Sequence, residues 1–289
     1  MRIKKTKKID QKLLQGYFAS SFQGFLIAEE VKALVGTLRI SVEELVSELL
    51  PRAASCAIAP LSSYQVGAIC RGVSGNLYFG ANIEFIGEPL HSTVHAEQAS
   101  IANAISKGEN GIKAITVTAM PCGHCRQFIN ELNTARELKI FVIGQEPILF
   151  SDLLPDAFGP ADLNIEGRLM DPQTHDLRLE NPSSDKVIQK ALRAAAVSYA
   201  PYSNCYSGVA LETNSGEIFT GSYAENAAFN PSLLPLQAAM VNMIMAGNSF
   251  NDISKAVLVQ SKKQKIDFAE ITRRTLKSVS NAQLAIEYT

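Results

Sequence analysis

The amino-acid sequence predicts an α/β fold built twice, with a small helical region ahead of the first copy. Strand-like and helix-like apolar patterns alternate as far as residue 146, and a set of residues then recurs at a constant offset. The length of 289 residues exceeds what one compact domain needs, and a hydrophobic content of 46% supplies a sizeable core.

The elements follow in order. Residues 1–47 are read as the N-terminal helical region. Within it, Ser41-Val42-Glu43-Glu44 is a capping box, and Leu45, Val46, Leu49 and Leu50 form the apolar stripe behind it. Pro51 is expected to kink or restart that helix. Residues 65–71 and 76–80 flank Ser74-Gly75 and read as a hairpin. Ser92 or Thr93 can cap a helix that runs to Lys107 and stops at Gly108. Ile115, Val117 and Ala119 alternate with Thr116 and Thr118 as a strand. Phe128, Ile129 and Leu132 mark a helix, and residues 139–143 a further strand. Residues 147–182 hold 5 of the 12 prolines with little periodicity and read as an interdomain linker.

The second copy, residues 183–289, follows this segment. Ala59-Pro60-Leu61-Ser62 matches Ala200-Pro201-Tyr202-Ser203 at an offset of 200 − 59 = 141, which also carries Gly67, Gly75, Gly80 and Glu84 onto Gly208, Gly216, Gly221 and Glu225.

Charge and cysteine usage exclude several classes. With 27 basic and 28 acidic residues, the chain lacks the positive balance of a surface that tracks phosphates, so no nucleic-acid partner is expected. Five cysteines, an odd number and mostly far apart, argue against a secreted disulfide framework and for a cytoplasmic protein. The basic start, Lys4 to Lys8, is not followed by an apolar run. No stretch of about 18 apolar residues predicts a membrane span.

The chemistry lies in residues 48–146. Val94-His95-Ala96-Glu97-Gln98 is followed by Pro121-Cys122-Gly123-His124-Cys125-Arg126, the pattern H-x-E then P-C-x-x-C. His95, Cys122 and Cys125 give three ligands for one Zn²⁺, and three protein ligands leave a position open for water, whose pKa the metal lowers to about 7. Glu97, two residues beyond a ligand, can carry protons without ligating. His95 and Glu97 open one predicted helix and Cys122 and Cys125 the next, and the partial positive charge at a helix start favours thiolates. The separate halves of the motif have blander readings, a structural zinc half-site and a chance H-x-E. Together they are the signature of zinc-dependent base deaminases. The second copy has neither half: Pro235-Leu236-Gln237 stands near the place of His95-Ala96-Glu97, one residue out of phase, so this copy reads as catalytically blank. His124 is expected to point away from the metal. Arg126 is read equally as a thiolate partner or a surface charge. His91, His175, Cys56, Cys70 and Cys205 are read as structural.

On these motifs, together with Tyr78-Phe79-Gly80-Ala81-Asn82-Ile83-Glu84-Phe85, the chain resembles the cytidine deaminases, in the long, two-domain, homodimeric bacterial form. The resemblance covers nearly the whole chain, including the blank second domain. It implies a three-layer α/β/α mixed sheet present twice, and zinc-dependent deamination of cytidine and 2′-deoxycytidine in pyrimidine salvage. It also implies that Asn82 and Glu84 hold the ribose 3′-hydroxyl and that Ala96 contacts the pyrimidine O2 through its backbone. Tyr64 stands where an aromatic packs on the base, and Phe158 where a linker aromatic reaches the pocket. The duplicate is expected to close the partner's site in the homodimer, through Ala227, Ala228 and Phe229. The chain departs from the family pattern where Tyr64 replaces a more usual Phe and where Met120 replaces a polar residue before Pro121. Two rival readings share the zinc signature. A nucleic-acid deaminase conflicts with the neutral charge and with a pair suited to a free sugar hydroxyl. A zinc-stabilised scaffold would need neither Glu97 nor an open coordination position.

Overall fold

A computed structural model describes residues 22–262 and 265–289; the basic start and the first 21 residues of the N-terminal region lie outside the described residues. A short strand, β1 (Phe25–Leu26), precedes helices α1 (Ala28–Leu38) and α2 (Val42–Ala54). Ser41 caps α2, its side chain accepting from the Glu44 amide while the Glu44 carboxylate accepts from the Ser41 amide, as the capping box predicts. Pro51 does not restart the helix; α2 runs through it to Ala54. An interior proline costs about 3 kcal/mol, and the burial of Leu45, Leu49, Leu50 and Ala53 along one face offsets that cost. Residue 47 therefore falls inside one continuous helix.

The first sheet is mixed, in the order β1-β3-β2-β4-β5-β6. The hairpin β2 (Gly67–Gly72) and β3 (Leu77–Ala81) pairs Gly67 with Ala81 and Ala68 with Gly80. Strand β4 (Ile112–Val117) is antiparallel to β2 and parallel to β5 (Lys139–Val142). Helix α3 (Ala96–Ser106) lies between β3 and β4, and α4 (Gly123–Ile129) between β4 and β5. The N-cap of α3 is His95, not Ser92 or Thr93, because residues 90–92 form a separate 3-10 turn and Val94 bridges to Ile83.

The matched glycines explain the layering. In the hairpin register Gly67 and Gly80 point to opposite faces. A Cβ on Gly67 would strike the backbone of Ala54 in α2, and one on Gly80 would strike the backbone of Ala96 and Ser100 in α3. One helix therefore packs on each face, giving three layers, and both helices approach too closely for any side chain. Gly75 closes the hairpin at φ +93°, in the left-handed region.

The second half repeats this arrangement. Helix α6 (Lys186–Ala196) and strands β7 (Ser207–Thr213) and β8 (Ile218–Ser222) are followed by α7 (Pro235–Met245), β9 (Ile253–Gln260), α8 (Ala269–Val279) and β10 (Leu284–Tyr288). Its sheet order, β10-β9-β7-β8, reproduces β5-β4-β2-β3 with the same parallel and antiparallel pairings. Gly208 and Gly221 sit against the backbones of α6 and α7, and Gly216 takes the turn at φ +83°.

The strands repeat at an offset of 141, but α7 repeats α3 at 235 − 96 = 139. The loop before α7 is two residues shorter than its counterpart. Leu234, Pro235 and Leu236 thus occupy the places of His95, Ala96 and Glu97, one residue before the Pro235-Leu236-Gln237 that the sequence reading set near there. Asn103 confirms the new register: its amide donates to the Phe79 carbonyl (2.9 Å), and Asn242 does the same to Thr220 (2.7 Å).

The two halves meet across α3 and α7 in a reciprocal contact. Gln98 Nε2 donates to the Pro231 carbonyl (3.0 Å) and Gln237 Nε2 to the Ser92 carbonyl (3.2 Å). These pairs exchange under the offset of 139, so the halves are related by a local two-fold axis. One apolar core runs through both, from Leu45 and Ile69 to Met240 and Met243.

The Pro-rich segment connects the halves without hanging free of them. It opens with β6 (Ile148–Leu149), the sixth strand of the first sheet, and with α5 (Phe150–Leu153). Farther along, the Leu169 amide donates to Glu131 and the His175 amide to Ala196.

Candidate metal centre and active site

Two helix starts converge on one point. His95 is the N-cap of α3 and Cys122 the N-cap of α4, both with extended backbone, and Cys125 lies in the first turn of α4. The Gln98 side-chain oxygen Oε1 accepts from the His95 backbone amide (3.4 Å), fixing the start of α3. The His95 Nδ1 atom lies 3.4 Å from Cys122 Sγ and 3.3 Å from Cys125 Sγ, and the sulfurs are 3.8 Å apart. A tetrahedral zinc with Zn–S near 2.3 Å and Zn–N near 2.0 Å requires edges of about 3.8 Å between sulfurs and about 3.5 Å from nitrogen to sulfur. The three donors therefore fit three corners of a zinc site and leave the fourth open. Among the described residues they form the one cluster of three or more such donors within ligating reach.

Electrostatics agree with the donor set. The Cys122 thiol is held down at about 3, first by the hydrogen bond from the Cys125 thiol and then by the one from His95. The Cys125 thiol is pushed up by donating that bond, and then by burial. A bound zinc would take both as thiolates. Glu97, on the first turn of α3, is 4% exposed, and burial pushes its carboxyl up against the pull of its own amide, Cys125 and His95.

The neighbours of these residues resolve two open readings. His124 is outside the donor cluster, its ring 5.4 Å from that of His95. Arg126 is neither a thiolate partner nor a free charge: it donates to the Pro121 carbonyl (2.9 Å) and the Leu153 carbonyl (3.0 Å), tying the start of α4 to α5. Cys70 is buried, bonded to Ser100, and pushed up to about 12 by burial. His175 stacks on Tyr206.

Asn82 and Glu84 flank Ile83, whose amide and carbonyl both pair with Val94, the residue before His95. Asn82 accepts from the Val66 amide (2.8 Å) and donates to the Tyr64 carbonyl (3.0 Å). Glu84 accepts from the Leu61 amide (2.8 Å), the Ser62 amide (3.0 Å) and the Ser62 hydroxyl (2.5 Å). Burial raises its carboxyl, but these three bonds outweigh it and leave the pKa lowered. Each side chain retains hydrogen-bonding capacity for one more group. Ala96 is buried at the first position of α3, where an amide has no acceptor within its own helix. Tyr64 is 61% exposed and Phe158 47% exposed. The Phe158 carbonyl accepts from Gln127 and Asn130, which places it beside α4. Met120 is partly exposed.

Two features escaped the sequence reading. Glu225, the counterpart of Glu84, makes the same three bonds, to the amides of Tyr202 and Ser203 and the Ser203 hydroxyl. The matched glutamates at an offset of 141 were the available signal. Glu131, fully buried after α4, accepts from Tyr199 (2.8 Å), Tyr202 (2.5 Å) and the Ala227 amide (3.0 Å), binding the first half to the duplicate. No motif marks it. Within this chain Ala227 is thus buried against its own first half, whereas Ala228 and Phe229 are exposed.

Residues 40–141 match the family model described as "Cytidine and deoxycytidylate deaminase zinc-binding region", and residues 150–273 match a second model of the same description. The chain is 48% identical to the cytidine deaminase of Serratia proteamaculans (strain 568) over 92% of this chain and 90% of that protein. It is 47% identical to that of Proteus mirabilis (strain HI4320) over 91% and 89%. The crystal structure of cytidine deaminase from Mycobacterium tuberculosis matches at 31% identity over 40% of this chain and 97% of that one, with a TM-score of 0.37.

Proposed function

This chain belongs to the cytidine deaminase family, and we propose that His95, Cys122 and Cys125 hold its zinc while Glu97 moves the protons of the reaction. The enzyme hydrolyses the exocyclic C–N bond of cytidine, consuming water and releasing uridine and ammonia. The observation that carries the assignment of roles is the His95–Cys122–Cys125 triangle, of zinc dimensions, beside a buried carboxylate. When bound, zinc supplies Lewis acidity that lowers the pKa of water held at the open corner.

The residues of the chain do the rest. Glu97 takes one proton from the water and passes it to the ring nitrogen, then takes the second from the hydroxyl added at the ring carbon and gives it to the departing amine as the carbonyl forms. Its burial keeps bulk water from competing for those protons. The Ala96 amide donates to the pyrimidine O2. Asn82 and Glu84 hold the ribose 3′-hydroxyl through the capacity their protein partners leave unused. Tyr64 and Phe158, both exposed, pack on the base. 2′-Deoxycytidine is processed as well, in pyrimidine salvage.

The enzyme works as a homodimer in the cytoplasm, with the duplicate closing the partner's site. In this reading Ile86, Leu90 and Phe229, which are 62%, 77% and 65% exposed, are covered by the partner. No helix among the described residues is long and apolar enough to cross a membrane, and all five cysteines are free.

The test incubates zinc-loaded protein with cytidine and follows uridine and ammonia, with Glu97→Ala alongside. Wild type should give the two products one to one. The variant should keep its zinc and lose on the order of 10²–10⁴-fold in rate. A variant that turned over like wild type would remove Glu97 from the mechanism.

A further inference from the structure

The loop of the second half that runs from Asn226 to Pro231 touches both helices that carry the metal donors. At its start, Asn226 Nδ2 donates to the Gln127 carbonyl (2.8 Å), and Asn226 Oδ1 accepts from Gln127 Nε2 (3.4 Å). Gln127 lies on α4, just beyond Cys125. At the other end of the loop, the Pro231 carbonyl accepts from Gln98 Nε2 (3.0 Å), and Gln98 Oε1 in turn accepts from the His95 backbone amide. A path of hydrogen bonds thus joins the helix of the cysteines to the helix of the histidine through the other half of the chain. Apart from the donors themselves and Glu97, no hydrogen bond among the described residues joins α3 directly to α4.

Asn226 is fully buried and both ends of its side chain are engaged, the oxygen also by the Ala228 amide (3.0 Å). The last turn of α4 needs an outside partner for the Gln127 carbonyl, because the Glu131 amide, next in line for it, turns to Phe128 instead (3.2 Å). Asn226 supplies that partner. The loop is closed on itself by the Asn226 amide, which donates to the Ser232 hydroxyl (3.0 Å), and by the Phe229 and Ser232 amides, which donate to the Asn226 and Phe229 carbonyls. Its two ends therefore stand at a fixed separation.

On the reading of His95, Cys122 and Cys125 as zinc ligands, on which this rests, we propose that Asn226 is a positioning residue of the metal centre. The loop 226–231 sets how far α4 stands from α3, and so the distances from His95 Nδ1 to the two sulfurs, 3.4 and 3.3 Å. Groups that orient a metal's ligands from outside typically matter about 10–100-fold in metal affinity. The second half, which has no such donor set among its described residues, contributes in this way to that of the first.

The test measures the zinc affinity of the full chain by competition with a chromogenic chelator, and the visible spectrum after Co²⁺ replaces zinc, in wild type, Asn226→Ala and Asn242→Ala. Asn242 is the control: a buried asparagine of the same half, it donates to the Thr220 carbonyl of that half, and its side chain makes no hydrogen bond to α3 or α4. Asn226→Ala should bind zinc about tenfold more weakly and shift the cobalt bands. Asn242→Ala should match wild type in both. Urea unfolding checks that each variant is folded. If Asn226→Ala does not fold, Asn226→Ser decides, since its hydroxyl can accept from the Ala228 amide but is too short to reach Gln127. A folded Asn226 variant with wild-type affinity and spectrum, or equal losses in the Asn226 and Asn242 variants, would overturn the proposal. Wild-type affinity in Cys125→Ser would overturn the ligand set itself, and the proposal with it.

Discussion

Replacing Glu84 and Glu225, one at a time, by glutamine separates what the fold needs from what the substrate needs. Both carboxylates are buried and both accept two backbone amides and one serine hydroxyl. Glutamine can keep all three bonds, its oxygen toward the amides and its NH₂ toward the serine oxygen. What it loses is the charge. Hydrogen bonds to a charged group contribute about 1.5–3 kcal/mol against about 1 kcal/mol for neutral ones, so three bonds losing that difference amount to roughly 1.5–6 kcal/mol. Urea unfolding should show this loss in both variants. Cytidine kinetics should not match: Glu84→Gln weakens one further charged bond, to the ribose, and should lower kcat/KM about tenfold, which corresponds to about 1.4 kcal/mol. Glu225→Gln should leave kcat/KM within about twofold of wild type. Equal kinetic losses in the two variants would refute the assignment of a substrate role to Glu84. A stable Glu84→Gln beside an unstable Glu225→Gln would refute the shared structural role.

Other outcomes follow from the same geometry. The Glu84 carboxyl lies below its ordinary value of 4.5 when folded, so its stabilisation is present above that pH and is lost as pH falls through the folded value; a urea midpoint series below pH 5 should fall more steeply for wild type than for Glu84→Gln. Stripping zinc with a chelator should abolish turnover and leave Cys122, exposed and held near 3, as a fast-reacting thiol in a titration at neutral pH. Gly80→Ala and Gly221→Ala each force a methyl into a helix backbone and should each cost about 3 kcal/mol in denaturant unfolding, although only Gly80 lies in the half that carries His95, Cys122 and Cys125.

The convergence of His95, Cys122 and Cys125 was legible because it depends on residue types at short spacing: H-x-E and P-C-x-x-C each sit within one helix start. The duplication was legible through glycines, since Gly67, Gly75 and Gly80 mark backbone contacts and a turn that no other residue can serve. The register of α7 was not, because a two-residue loop shortening leaves the strand offset intact while moving the helix. Pro51 misled because local propensity was outweighed by the packing of Leu49, Leu50 and Ala53. Glu131 was invisible because its partners, Tyr199 and Tyr202, stand about 70 residues away. The contacts of the Pro-rich linker with the two halves were not legible, because several are made by backbone, as from Leu169 to Glu131 and from His175 to Ala196, which composition does not reveal.

The reciprocal glutamines of α3 and α7 have an evolutionary consequence. In an assembly of identical copies every substitution appears on both sides of the two-fold axis at once, so a metal ligand cannot be lost from one copy and kept in the other. Joining the copies into one chain removes that constraint. Leu234 can stand opposite His95 so long as the loop before α7 still presents the Pro231 carbonyl to Gln98 and α7 still presents Gln237 to Ser92. The second half is therefore held to its contact surface and not to a donor set, and among the described residues two copies of the fold carry one cluster of zinc dimensions.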